Sequence, residues 1–153
     1  MIDSASGPRL MGHFVSEGEG ERIPWPDVDF HVKASGAETG GALTVLEDGS
    51  PAGRISLHVH HHEDEAFYVL QGQITITCGD RTFLATPGSF VFLPRGVPHA
   101  QDIHPGGARK LIIAVPGGIE GFFREIGQGL TAGSMSGELW ADISRRHGIE
   151  WLE

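Results

Sequence analysis

The chain has 153 residues, of which 39% are hydrophobic and 20% charged, and its formal net charge is −9 at pH 7. This length suits one domain with a hydrophobic core of its own, and the composition is that of neither a disordered nor a membrane protein. The negative charge argues against nucleic acid and anionic membranes as partners.

Three further features bear on location. No stretch approaches the roughly 20 apolar residues that a membrane span needs, and the first 20 residues lack the basic start and apolar run of a secretory signal. The one cysteine, Cys78, cannot form an internal disulfide. We therefore expect a cytoplasmic protein.

Residues 1–27 are predicted to form an irregular N-terminal arm. The segment 23–26 reads Ile-Pro-Trp-Pro, and each proline lacks an N–H and restricts the residue before it. We interpret Trp25 as the anchor of a strap over the domain that follows. The alternative is that Trp25 lines a ligand site.

Residues 28–116 predict an all-β domain, because short apolar runs alternate with glycine, proline and aspartate turns at nearly regular spacing. Many short strands of this kind are typical of a sandwich or barrel. The predicted strands are Phe30–Ala34, Ala42–Glu47, Ile55–His60, Ala66–Leu70, Gln73–Cys78, Arg81–Ala85, Phe90–Leu93, Pro98–His104 and Arg109–Val115.

Residues 117–153 predict a helical extension. The apolar residues of its first helix recur at helical spacing on one face, and Gly127 is the expected stop. These residues are Ile119, Phe122, Phe123 and Ile126. A second helix is predicted over about Gly137–His147, capped by Gly148, with Trp151 and Leu152 packing back on it.

Histidines supply the strongest chemical signal, because four of the nine fall within five residues. In a strand, His58 and His60 share a face. Glu65 follows after room for a turn, and His99 stands near the start of a later strand. Imidazoles and a carboxylate suit Fe, Mn, Ni, Cu or Zn. The alternative is a solvated histidine loop with only casual affinity for metals.

The spacing of these residues resembles the first motif of the cupin superfamily. That motif has a glycine, His-x-His, a glutamate and, six residues later, another glycine. Here these positions are Gly53, His58, His60, Glu65 and Gly72, and only the lead glycine is one residue closer than usual. Glu63 could compete as the carboxylate, but Glu65 alone keeps the six-residue spacing.

The second cupin motif is matched as well. Gly88 is followed after five residues by Pro94-Arg95-Gly96 and after two more by His99, and fifteen residues separate the two motifs. The resemblance covers residues 53–103. One departure is Ile103, which replaces the usual asparagine, a position that is not a ligand.

This resemblance implies an all-β fold, a cupin β-barrel (double-sheet jelly roll) with two C-terminal α-helices packed on it. It implies that His58, His60, Glu65 and His99 bind one divalent metal ion per chain. It also implies a homodimer, formed through a barrel face or an exchanged N-terminal strand.

The stretch Asp64–Gly72 looks like small single-domain cupins likened to quercetin dioxygenase. The resemblance implies a metal-dependent dioxygenase for a phenolic or enolisable small aromatic substrate, in which Glu65 is both ligand and catalytic base. Two alternatives stay open. One is a non-oxidative polyketide cyclase, lyase or isomerase, and the other is a non-catalytic small-molecule-binding cupin.

Strand parity suggests which side chains line the substrate pocket. Five are candidates: Phe67, Phe90, Gln101, Ile103 and His62. The alternative for each apolar one is plain core. Gln101 is expected to hydrogen-bond a ligand histidine or a metal-bound water, since an inward amide needs a partner.

Overall fold

The computed structural model describes residues 9–153, which form two antiparallel sheets and two helices. The larger sheet has six strands. In spatial order they are β1 (Glu21–Trp25), β2 (Val28–Ala34), β3 (Thr44–Ser50), β10 (Ala108–Val115), β5 (Asp64–Gln71) and β8 (Phe90–Leu93).

The smaller sheet has five strands, and the helices precede its last one in the chain. In spatial order the strands are β11 (Ile149–Trp151), β4 (Gly53–His60), β9 (His99–Ile103), β6 (Ile74–Cys78) and β7 (Arg81–Ala85). The helices are α1 (Glu120–Thr131) and α2 (Gly137–Arg146). No helix among residues 9–153 has the length and apolar character needed to cross a bilayer.

One apolar core draws side chains from both sheets. In β6, Ile74, Ile76 and Cys78 are buried while Thr75 and Thr77 are only half-buried, as the two-residue period of a strand requires. The core also contains Leu46, Phe67, Val69, Leu93, Ile103 and Ile112. The expected all-β architecture with two C-terminal helices is confirmed.

A smaller apolar cluster attaches the C-terminal extension to the end of the sheets. It joins Phe122 and Ile126 of α1 to Ile143 of α2 and Ile149 of β11. Ser136 caps α2 by accepting a hydrogen bond from Leu139 N. The two helices and β11 therefore pack as one unit, and this unit brings aromatic side chains towards the ends of β4 and β2.

The predicted irregular arm needs correction, because residues 21–25 form strand β1. Pro24 fits there because β1 is an edge strand of its sheet, and the missing N–H of a proline is tolerated at an edge. Residues 9–20 have no regular strand or helix. Residues 1–8 of the predicted arm lie outside the described part of the chain.

The extension also differs from the prediction in three places. Helix α1 continues through Gly127 to Thr131. A β-carbon at Gly127 would lie 2.1 Å from the carbonyl oxygen of Pro24, so this glycine permits close packing on β1 instead of ending the helix. Strand β11 was not predicted, and Leu152 is exposed.

Candidate metal centre and cavity

Three strands bring four chemically suited side chains together between the sheets. His58 and His60 lie at the end of β4, and His99 begins β9, where it pairs with His58. Glu65 comes from β5 in the opposite sheet. All four side chains are buried, and each offers one ligand atom within 4.8 Å of the others.

The distances within this cluster match those around a metal ion. Glu65 Oε2 lies 3.3 Å from His60 Nε2 and 3.2 Å from His99 Nε2. Donors about 2.1 Å from a common ion, at right angles to each other, are separated by about 3 Å. The four residues predicted as ligands are therefore brought together in an arrangement that can hold a metal ion.

Hydrogen bonds on the outer side of two imidazoles fix how they face the cluster. His58 Nδ1 donates to the carbonyl oxygen of Ser56 at 2.7 Å, and His60 Nδ1 donates to Glu63 Oε1 at 2.6 Å. Each Nε2 is then left with a free lone pair. Glu63 is thus not a competing ligand but the partner that orients His60.

The pKa values of three cluster residues follow from their burial and their charged neighbours. Burial, helped by the nearby His99, lowers the pKa of His58 to about 4, which keeps its imidazole neutral. Burial would also lower the pKa of His60, but the Glu65 and Glu63 carboxylates outweigh it and raise that pKa. Burial would raise the pKa of Glu65, yet the facing imidazoles, His60 foremost, hold it at about 2.

Unpaired polar atoms inside the cluster test whether a metal ion fits. Glu65 Oε2 and both ring nitrogens of His99 are buried without a hydrogen-bond partner among the described residues. Buried polar atoms without partners are costly and uncommon. A divalent ion would use Glu65 Oε2 and one His99 nitrogen, so these residues fit the ion that the sequence predicts.

A cavity of about 400 Å³ opens beside the cluster, and His58, His60 and Glu65 form part of its lining. Much of the remaining lining is an aromatic wall supplied by β1, β2, α1, α2 and β11. The aromatic wall consists of Trp25, Phe30, Phe122, Phe123, Trp140 and Trp151. This volume is within the range of small-molecule sites in proteins.

Trp151 connects the aromatic wall to the candidate ligands. Its ring centre lies 4.7 Å from that of His58, and its Nε1 donates to Ser144 Oγ at 3.0 Å. Trp140 packs against it with ring centres 5.7 Å apart. The sequence analysis missed the role of both residues, because only the tertiary packing of α2 and β11 brings them to the cavity.

The predicted pocket residues divide into two groups. Gln101 and Ile103 line the cavity, and so does Trp25, as the alternative interpretation of that residue stated. The other three predicted pocket residues, Phe67, Phe90 and His62, lie elsewhere.

Each of these three placements has a physical reason. Phe67 is fully buried in the core, with the Lys110 ammonium 5.2 Å from its ring centre. Phe90 is 63% exposed because its face of β8 points away from the core. His62 lies beyond the end of β4, exposed and close to Gly148.

A charged pair in the cavity wall was not predicted from the sequence. Asp48 lines the cavity and accepts hydrogen bonds from Lys110 Nζ and Ser50 Oγ. Asp48 and Lys110 are directly opposite each other on β3 and β10, and both are buried. The predicted strand Ala42–Glu47 stopped one residue short of Asp48, so the register that pairs Asp48 with Lys110 was not predicted.

Comparison with known proteins agrees with this geometry. The model of the cupin domain family matches residues 45–115. Quercetin 2,3-dioxygenase of Bacillus subtilis is 30% identical over 116 residues, which cover 75% of this chain and 34% of that protein. The chain spans about a third or less of the length of the first curated relatives it matches.

Solved structures share the fold. An RmlC-like cupin from Shewanella frigidimarina has a TM-score of 0.58 at 16% identity, covering 71% of this chain and 95% of that one. The polyketide cyclase RemF from Streptomyces resistomycificus has a TM-score of 0.57 at 24% identity, covering 69% and 80%. From its motifs, its sheets and these relationships, the chain belongs to the cupin superfamily and is related in sequence to quercetin dioxygenase.

Proposed function

We propose that this protein is a metal-dependent dioxygenase for small phenolic or enolisable aromatic substrates. One observation carries the proposal: three imidazoles and one carboxylate converge, buried, beside a cavity with an aromatic wall. The ligand set suits redox-active first-row metals. The wall suits a planar apolar substrate, because aromatic rings pack favourably on one another.

The chain's own residues define what the site can do. A divalent ion held by His58, His60, Glu65 and His99 would supply Lewis acidity to a substrate oxygen and a centre at which dioxygen can react. The aromatic wall excludes water from the reacting atoms. Glu65, ionised at neutral pH, is placed to accept the proton of a substrate hydroxyl.

The low pKa of Glu65 limits its strength as a base. Proton transfer to this carboxylate therefore depends on how acidic the substrate hydroxyl becomes in the site. Phenols and enols meet this condition better than aliphatic alcohols, and this difference supports the choice of substrate class. The sequence relationship to quercetin 2,3-dioxygenase supports it as well.

Metal content tests the assignment of the ligands. In protein purified without added metal, His60→Ala or His99→Ala should reduce occupancy at least tenfold, since each removes a buried ligand. His61→Ala is the matched control, because the His61 side chain is exposed and bonds Glu150 on β11, away from the cluster. Equal occupancy in all three variants, measured by elemental mass spectrometry, would refute the assignment.

An oxygen electrode tests the reaction itself. The metal-loaded protein should consume dioxygen when flavonols or other enolisable phenolic ketones are added, and His99→Ala should not. Substrate conversion without dioxygen uptake, supported by redox-inert zinc, would replace the oxygenase with a cyclase, lyase or isomerase. If the protein binds these compounds tightly but converts none of them with any metal, the remaining interpretation is a non-catalytic small-molecule-binding cupin.

A further inference from the structure

Gln101 occupies a rigid and central place in the cavity wall. It lies on β9, which is the middle strand of the smaller sheet and pairs with β4 and β6. Its position is two residues from His99, so the two side chains share a face. Its strand partners are Ile55 and Ile76, which offer no polar group.

The amide oxygen of Gln101 is buried and has no hydrogen-bond partner among residues 9–153, although the side chain lines the cavity and is only 4% exposed. It does not orient a ligand histidine. His58 and His60 donate to Ser56 and Glu63, and within the described part of the chain neither ring nitrogen of His99 has a hydrogen-bond partner. The expected hydrogen bond from Gln101 to a ligand histidine is therefore absent.

An unpaired buried amide destabilises a protein unless something else satisfies it. A merely structural side chain at this position would be apolar, as Ile103 is two residues further along the same face. The Gln101 side chain instead lines the space that a substrate would fill, and a 180° rotation of its amide exchanges the positions of the oxygen and the nitrogen. A hydroxyl is the simple complement to such an acceptor.

We propose that Gln101 is the specificity-determining residue of this site, and that its amide oxygen accepts a hydrogen bond from a substrate hydroxyl other than the oxygen that meets the metal. This rests on the proposed function, since it places an aromatic hydroxy-ketone in this cavity. A substrate lacking that second hydroxyl would leave the amide unpaired and bind more weakly.

The test compares two flavonol probes that share the metal-binding hydroxy-ketone. Galangin carries two additional ring hydroxyls and 3-hydroxyflavone carries none. Quenching of tryptophan fluorescence in the metal-loaded protein gives both dissociation constants, because Trp25, Trp140 and Trp151 line the cavity. The wild-type protein should prefer galangin by about tenfold, the effect of one satisfied buried hydrogen bond.

Gln101→Met should abolish this preference, since methionine has similar length and no acceptor of comparable strength. Its metal content and melting temperature should match or exceed those of the wild type, because an unpaired polar group is removed. Ile103→Met is the matched control on the same face, and it should change both dissociation constants by a similar factor and keep the preference.

Three results would overturn the proposal. In the first, the wild-type protein does not prefer galangin or binds neither probe. In the second, the Gln101→Met variant keeps the preference for galangin. In the third, the Gln101→Met variant loses metal or melts several degrees lower than the wild type. The last would make Gln101 structural. Failure of the proposed function gives a different result. If the preference for galangin depends on Gln101 but no dioxygen is taken up, the oxygenase activity is rejected and the role of Gln101 in recognising the substrate is retained.

Discussion

At the scale of single residues, the segment from His60 to Glu63 shows how the end of a strand decides which of several neighbouring polar side chains are buried and which are exposed. Strand β4 ends at His60, which is buried. The next two histidines, His61 and His62, are exposed, and the chain then turns inward so that Glu63 is buried again. Burial of a carboxylate is costly without a partner, and the His60 imidazole is that partner.

The His60–Glu63 contact leads to a prediction about metal affinity. Glu63→Ala should weaken metal binding by about 10- to 100-fold while leaving all four candidate ligands in place, because an imidazole without its outer partner is less well oriented and less basic. Glu63→Gln, which keeps an acceptor but no charge, should lie between this variant and the wild type. Competition titration against a chelator measures both.

The control for this prediction is Glu150→Ala. Glu150 accepts a hydrogen bond from the exposed His61 at 2.9 Å, so the variant removes a histidine–carboxylate contact of similar geometry away from the cluster. Its metal affinity should stay within about twofold of the wild type, since exposed pairs contribute little. If Glu63→Ala bound metal as well as Glu150→Ala, the orienting role of Glu63 would be wrong.

At the scale of elements, helix α1 illustrates a contact that overrides a local preference. Glycine normally weakens a helix interior by about 1 kcal/mol relative to alanine, and the sequence analysis therefore ended the helix at Gly127. In the fold, β1 lies against α1 so closely that a side chain at Gly127 would meet the Pro24 carbonyl. The missing β-carbon is what allows the two elements to approach.

This contact predicts an inversion of the usual glycine-to-alanine effect. Gly127→Ala should lower the free energy of unfolding by about 1–3 kcal/mol, since overpacking forces the backbone apart. Gly137→Ala is the control, because no atom lies within 4 Å of a β-carbon there and the change should be neutral or slightly stabilising. Urea denaturation measures the free energy of unfolding of both variants. Equal stability of Gly127→Ala and Gly137→Ala would contradict the prediction.

Much of the fold and part of the site could be predicted from the sequence. Features set by local sequence patterns were predictable, whereas features set by tertiary packing were not. Strands Arg81–Ala85 and Phe90–Leu93 have the predicted limits, because turn residues flank each apolar run. The four clustered side chains were predicted because their spacing follows two local motifs. Trp140 and Trp151 reach the cavity only through helix packing, and β11 is too short, at three residues, for a periodic pattern.

At the scale of the whole molecule, both sheets end on the same side in strands with exposed apolar residues. Strands β7 and β8 are edge strands of their sheets. An apolar edge patch, defined as Leu84, Phe90 and Phe92, lines a shared surface groove between them and is more than half exposed at each position. Exposed apolar edges of this kind are typical of association sites.

We propose that the protein forms a homodimer through the apolar edge patch. The double substitution Phe90→Ser and Phe92→Ser should weaken the dimer at least tenfold, measured by light scattering and sedimentation over a concentration series, because it removes two apolar anchors. Phe14→Ser is the control on the N-terminal segment, where Phe14 is exposed, and it should have no effect.

Two outcomes would contradict this proposal. A protein that is monomeric at all concentrations would remove the dimer altogether. Loss of the dimer in Phe14→Ser, with the double substitution unaffected, would place the contact at the N-terminal segment, as an exchanged arm requires.

The pairing of β11 with β4 has a consequence for how the protein matures. Residues 149–151 lie directly against the backbone of His58 to His60, so the strand that presents two of the candidate ligands keeps one bare edge until residue 151 has been synthesised. A nascent chain still held by the ribosome at residue 140 has every candidate ligand but lacks this support. Stable metal loading is therefore expected to follow the synthesis and pairing of residues 149–151.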